Sequence, residues 1–123
     1  MDKEVLKERT KKLSIRITVL VDNMPETRTA KMIAGQLLRS ATSVGANYRA
    51  ACRAKSKRDF INKLKIVEEE SDEILYWLEL IEERELVSRE KLKSLKQETE
   101  ELLAIFVASL KTAKENLKIE GRK

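Results

Sequence analysis

The sequence has no histidine in 123 residues, one cysteine, one proline, three glycines and only 4% aromatic residues. Each shortage excludes something. Without histidine there is no Glu-x-x-His pair of a di-iron bundle, no HExxH zinc site and no histidine-based triad. Cys52 has no second cysteine to bridge to; set among alanines beside Tyr48, it reads as a buried, inert thiol. Gly35 and Gly45 stand singly inside helical patterns, so no glycine-rich loop cradles a phosphate. No run approaches the roughly 20 apolar residues of a membrane span. The N-terminal stretch MDKEVLKERTKK lacks the apolar core of a signal peptide. A cytoplasmic location away from membranes is therefore expected.

What remains is rich in charge, at 38% of residues, and in helical periodicity. A chain of this length suits one domain with a modest core. The central stretch from Arg39 to Ile81 carries the strongest pattern. Phe60, Leu64, Val67, Ser71, Ile74, Leu78 and Ile81 alternate steps of four and three, the spacing of a helix that buries one seam against others. Upstream, Ala41, Gly45, Ala46, Ala50, Ala51 and Ala54 give a thin surface on which a neighbouring helix can lie close. Ser56 followed by Asp59 predicts a capping box at the start of the next helix.

Four helices follow, over about 3–22, 26–54, 57–83 and 89–119. The first buries Leu6, Leu13, Ile17 and Leu20 and carries a second apolar strip of Val5, Ile15 and Val19. Pro25 is placed in the first turn of the second helix, with Glu26 near its positive end. A break at Glu85-Leu86-Val87 precedes Ser88, a candidate N-cap for a fourth helix burying Leu92, Leu95, Leu102, Phe106, Leu110, Ala113 and Leu117. Gly121-Arg122-Lys123 is expected to fray. Short connections between amphipathic helices predict an all-α, antiparallel up-down-up-down four-helix bundle.

Helix three has more apolar surface than one bundle uses. At 100° per residue, Ile66, Trp77 and Leu80 lie away from the main seam, which predicts a homo-oligomer interface, or else a thicker core. The carboxylates Glu68, Glu69, Glu70, Asp72 and Glu73 splay around the helix, so they read as a solvated face with ion pairs. The alternative is a magnesium site, since hard oxygen ligands are the only kind available here. No metal, cofactor or catalytic residue is expected.

Charge is divided along the chain. Residues 1–65 hold 16 basic and 6 acidic residues, a balance of +10; residues 66–123 hold 10 and 15, a balance of −5. Arg28, Lys31, Arg39, Arg49 and Arg53 fall within an arc of about 80° on an ideal helix two. Two readings compete for this stripe. Arg39, Arg49 and Arg53, beside the apolar face, suit structural ion pairs with Glu69, Glu70 and Glu73 within or between subunits. Lys55, Lys57, Arg58, Lys63 and Lys65, around the turn, suit a phosphate surface of little sequence specificity.

Arg39-Ser40-Ala41-Thr42-Ser43-Val44-Gly45-Ala46-Asn47-Tyr48, then Phe60, Glu68 to Glu73 and Tyr76-Trp77-Leu78-Glu79-Leu80, resemble the proteins encoded in intervening sequences of bacterial 23S ribosomal RNA genes. The resemblance runs from about Leu20 to Leu117. It implies a left-handed up-down bundle assembling as a homopentamer. It also implies similarity to the accessory protein of diversity-generating retroelements, a basic pentameric barrel that engages a reverse transcriptase and nucleic acid. It carries over no catalytic role. The expectation is a non-enzymatic oligomeric bundle that binds RNA or DNA through the basic turn, as an adaptor for another protein. The alternative is a protein-interaction scaffold whose charges serve subunit assembly.

Overall fold

The computed structural model describes residues 2–121, which form four helices: α1 (Lys3–Asp22), α2 (Arg28–Cys52), α3 (Lys57–Glu83) and α4 (Arg89–Gly121). Gly121 closes α4 where fraying was expected, and Arg122 and Lys123 lie outside the described residues.

The helix ends follow from local hydrogen bonding. Asp2 caps α1 by accepting from the Glu4 N–H at 2.8 Å. Helix α2 starts later than the sequence suggests. Thr27, in extended backbone, accepts from the Ala30 N–H at 3.2 Å, so Pro25 and Glu26 remain in the connection. It also stops earlier, at Cys52, because the N–H groups of Arg53 and Ala54 fold back onto the carbonyls of Ala50 and Ala51. The predicted capping box at α3 is half formed. Ser56 Oγ accepts from the Asp59 N–H at 3.0 Å, but the Asp59 carboxylate reaches back to the Lys55 N–H, at 3.4 Å, rather than to Ser56. At the far end of α3, Leu86 N–H donates to the Ile81 carbonyl and Glu85 N–H to that of Glu82, both at 3.0 Å. This is a Schellman turn with Glu85 at φ 54°, a left-handed position that glycine usually fills.

Contacts between neighbouring helices run in opposite order. Ser14 on α1 donates to Ala41 on α2, while Thr10 lies beside Gly45. Lys57 pairs with Glu120, whereas Glu82 pairs with Lys96. Arg9 meets Glu98, and Arg16 meets Ser94. The α1–α2, α3–α4 and α1–α4 pairs are thus antiparallel.

The core takes residues from every helix, including Leu13 and Ile17, Leu37 and Val44, Leu64 and Leu78, and Leu102 and Phe106. Along α3 it is Ile61, not Phe60, that begins the buried stripe. Ile61, Leu64 and Val67 are spaced by three, and each such step turns the stripe by about 60° on the helix. Phe60 is left on the rim, half-buried, with Lys3 Nζ 5.7 Å from its ring centre. Of the small residues on α2, Ala41 and Ala51 are buried but Ala46 is exposed. The close approach occurs at Gly45, where an added Cβ would stand 3.5 Å from Ser14 Oγ. Each helix also buries one Ser or Thr: Thr10, Ser40, Ser71 and Thr99.

The α1–α4 seam is the loosest of the four. Polar side chains span it: Arg9 binds Glu98 at 2.6 Å and Glu101 at 3.1 Å, and Arg16 Nη2 donates to Ser94 Oγ at 2.8 Å. Toward the α3–α4 connection the seam opens into a trough of about 640 Å³ with Leu20 and Leu95 among its lining residues. The second apolar strip of α1, Val5, Ile15 and Val19, stays exposed.

Candidate nucleic-acid interface

The α2–α3 turn, with the start of α1 and the end of α4 beside it, forms the basic end of the bundle. Ending α2 at Cys52 and starting α3 at Lys57 exposes Arg53, Lys55, Lys57 and Arg58 in one short span. Lys65, two turns further along α3, is exposed too. The structure divides the five residues expected to hold phosphate. Lys57 pairs with Glu120 of α4, and Lys63 with Asp59 at 2.8 Å. Lys63, followed by the Lys55 N–H, holds the Asp59 carboxyl below its ordinary value despite some desolvation. Lys55, Arg58 and Lys65 have no ion pair with any described residue, so their charge stays available to an external anion.

Two members of this end escaped the sequence reading. Lys3 stands over Phe60 and, with Lys57, lines a small cleft of about 300 Å³ beside Cys52. Glu120 arrives from α4 and offsets one of the cations. Both meet the turn because antiparallel helices bring the first residues of α1 and the last of α4 to it. No local motif could show this.

The arginines expected to form structural pairs behave unequally. Arg39 binds Glu70 at 3.0 Å through Nη1 and Glu73 through Nη2, bridging α2 to α3. The hydrogen bonds that Arg39 donates to Glu70 and Glu73 raise its pKa above the ordinary value. Burial pushes the Glu73 carboxyl up, but bonds from Arg39, Trp77 and Ser40 outweigh this and hold it low. Arg49 and Arg53 point to solvent and have no acidic partner among the described residues; Glu69 is likewise exposed. The reason is rotation: Arg49 lies ten residues, and so about 80° off, from Arg39, which takes it past the α2–α3 interface.

Ile66, Trp77 and Leu80 do not form one equally exposed patch. Ile66 is 40% exposed, but Trp77 and Leu80 are half-buried against the core edge. Trp77 Nε1 lies 3.4 Å from Glu73, and Tyr76 packs edge-on against the indole with ring centres 5.0 Å apart. Cys52 is half-buried, and Tyr48, whose hydroxyl pKa is raised chiefly by burial, lies beside it. Among the described residues no three carboxylate or thiol groups converge on a point that could hold a metal ion. No helix among them is long and apolar enough to cross a membrane.

No functionally curated protein matches the sequence. A solved structure does: a protein of unknown function from the S23 ribosomal protein family of Bacteroides thetaiotaomicron, 35% identical over 90% of this chain and 99% of its own, with a TM-score of 0.83. At that similarity the helical architecture is shared along nearly its whole length. The sequence profile described as 23S rRNA-intervening sequence protein matches residues 2–108, which takes in α1, α2, α3 and most of α4, and the chain therefore belongs to the 23S rRNA-intervening sequence protein family.

Proposed function

We propose that this protein is a non-enzymatic, oligomeric helical bundle that binds RNA or DNA at its α2–α3 end, where Lys55, Arg58 and Lys65 are the principal phosphate contacts. The observation that supports this is the set of exposed cations left unpaired at one end of a bundle whose other basic residues are partly neutralised. Lys57 and Lys63, already paired, contribute less. Binding is weakly sequence-specific, because this end offers no exposed aromatic side chain for base stacking. As an adaptor, the bundle would carry nucleic acid to a protein partner, such as a reverse transcriptase.

The test is a fluorescence-anisotropy titration of duplex DNA and structured RNA between about 50 and 200 mM salt. Each phosphate neutralised on duplex DNA contributes about 0.9 to the log–log salt slope. Lys55→Gln with Arg58→Gln should therefore lower the slope by about 1.8 per bound protomer. Across that fourfold rise in salt, the unaltered protein should lose about tenfold more affinity than the double variant. Equal slopes for the two proteins would reject this surface.

The second reading, a scaffold for protein partners, is favoured by a different observation: large apolar side chains remain exposed on α1 and α3, among them Ile15, Val19, Ile66 and Tyr76.

A further inference from the structure

The trough between α1 and α4 is at the opposite end of the bundle from the basic turn. Its apolar walls are Ile15 and Val19 on α1, and Leu86 and Val87 in the α3–α4 connection. Ile15 and Val19, one turn apart, stand on the lip at 53% and 58% exposure. The opposite wall is held in place by the Schellman turn, whose left-handed Glu85 turns the chain so that Leu86 and Val87 reach the trough.

The charged residues that line the trough have one sign. Arg16 and Lys91 line it, and no carboxylate does. Arg16 donates to the neutral Ser94 hydroxyl, and Lys91 has no ion pair among the described residues. The strip of α1 from Ile15 to Asn23 spans about 12 Å, a little over two helical turns. A small molecule lying in so open a trough would leave much of its own surface wet and would not cover the lip residues. A third helix laid along the seam covers the floor and the lip together, with side chains at positions i, i+3, i+4 and i+7. A β-strand finds nothing to pair with, since the backbone amides of α1 and α4 that face the trough are spent within their helices.

We propose that this trough is a docking groove for an amphipathic helical segment of another protein, one with aliphatic or aromatic residues on one face flanked by Asp or Glu that meet Arg16 and Lys91. It specifies a partner surface for the scaffold or adaptor role but does not depend on nucleic-acid binding.

A phage-displayed library of random peptides selected against the purified protein tests this. The expected result is enrichment of sequences with apolar residues at helical spacing and flanking acidic residues. Val19 is exposed, so Val19→Glu should leave thermal stability unchanged, and it should weaken the enriched peptides at least tenfold. Arg16→Glu with Lys91→Glu should shift a repeated selection toward basic flanks. The proposal is overturned if nothing is enriched, if the enriched peptides lack an acidic bias, or if they bind Val19→Glu as tightly as the unaltered protein. It is also overturned if Val19→Glu lowers the native mass, because a second copy of the chain then covers the groove. Val19→Glu should leave the nucleic-acid titration untouched, so the two readings fail separately.

Discussion

Two glycines on one helix make a controlled experiment. Gly35 and Gly45 both lie inside α2, where glycine costs about 1 kcal/mol relative to alanine because of the backbone freedom it loses on folding. They differ in what an added methyl group meets. At Gly35 there is nothing within 4 Å, so Gly35→Ala should return the propensity term alone, about 1 kcal/mol. At Gly45 the new Cβ would stand 3.5 Å from Ser14 Oγ and 3.7 Å from the Thr10 carbonyl oxygen, ordinary contact distances. Part of the methyl is then buried against α1, and full burial of such a group is worth about 0.8 kcal/mol. Gly45→Ala should therefore stabilise by between about 1 and 2 kcal/mol, no less than Gly35→Ala. With an unfolding entropy of about 2.1 cal/mol/K per residue, 1 kcal/mol corresponds to a rise in Tm of about 4 °C for a chain of this size. Calorimetry or urea unfolding at one fixed protomer concentration measures both variants, since assembly would otherwise shift the midpoint. Gly45→Leu sets the upper limit: the longer side chain must displace α1 and should cost about 1–3 kcal/mol. A fall in Tm for Gly45→Ala would refute the reasoning, because it would mean that α1 rests directly on the backbone of α2.

Three further outcomes are expected. Glu85→Gly should raise stability by about 1 kcal/mol, read from the urea midpoint, since glycine accepts the left-handed backbone without the Cβ clash. The Glu82 carboxyl is held below its ordinary value of 4.5 by Lys96 and then Arg89, so its contribution is complete above that value and is lost as the pH falls through the lower folded value. Lys96, raised by Glu82, gives the mirror effect, lost as the pH rises past 10.5. Urea midpoints should therefore be level near neutrality and fall below about pH 4.5, and Glu82→Gln should make the acid limb shallower. Ile66→Glu should lower the mass in native mass spectrometry and lower Tm only by the share that assembly contributes, which shrinks on dilution, whereas Trp77→Ala should lower Tm at every protomer concentration, because the indole packs on the core edge; an unchanged mass for Ile66→Glu would remove α3 from the proposed interface.

Periodicity and caps were the most legible parts of the chain. The bounds of α1 and α3 follow from apolar spacing with Ser56 at a helix start, because such signals are local. The start of α2 was misplaced by giving Pro25 the first turn, when the hydroxyl of Thr27, two residues later, competes for the same amides and prevails. Phe60 was assigned to the seam by the same alternation that placed Leu64 and Val67 correctly. Successive steps of three turned the stripe onto Ile61, and the facing helices decide that rotation. Arg39 could be matched to Glu70 and Glu73 from helix geometry, but the pairing of Lys57 with Glu120 joins residues 63 positions apart and depends on where α4 stops. The trough was hidden for a similar reason: Ile15 and Val19 read only as part of a second apolar strip, and the loose α1–α4 seam leaves them without cover.

The four buried Ser and Thr hydroxyls bear on how such a sequence can drift. Thr10, Ser71 and Thr99 each donate to the carbonyl four residues back in their own helix, at Leu6, Val67 and Leu95. Ser40 differs, because it accepts from Arg39 at 3.3 Å and also bonds to Glu73 across the α2–α3 interface. Thr10, Ser71 and Thr99 form no cross-helix network in which losing one member would strand another. A lineage can exchange Thr10, Ser71 or Thr99 for a small apolar residue singly, in any order and with no compensating change elsewhere. Three of the four buried Ser and Thr side chains are thus free to vary, whereas Ser40 is tied to Arg39, Glu70 and Glu73, which must change together.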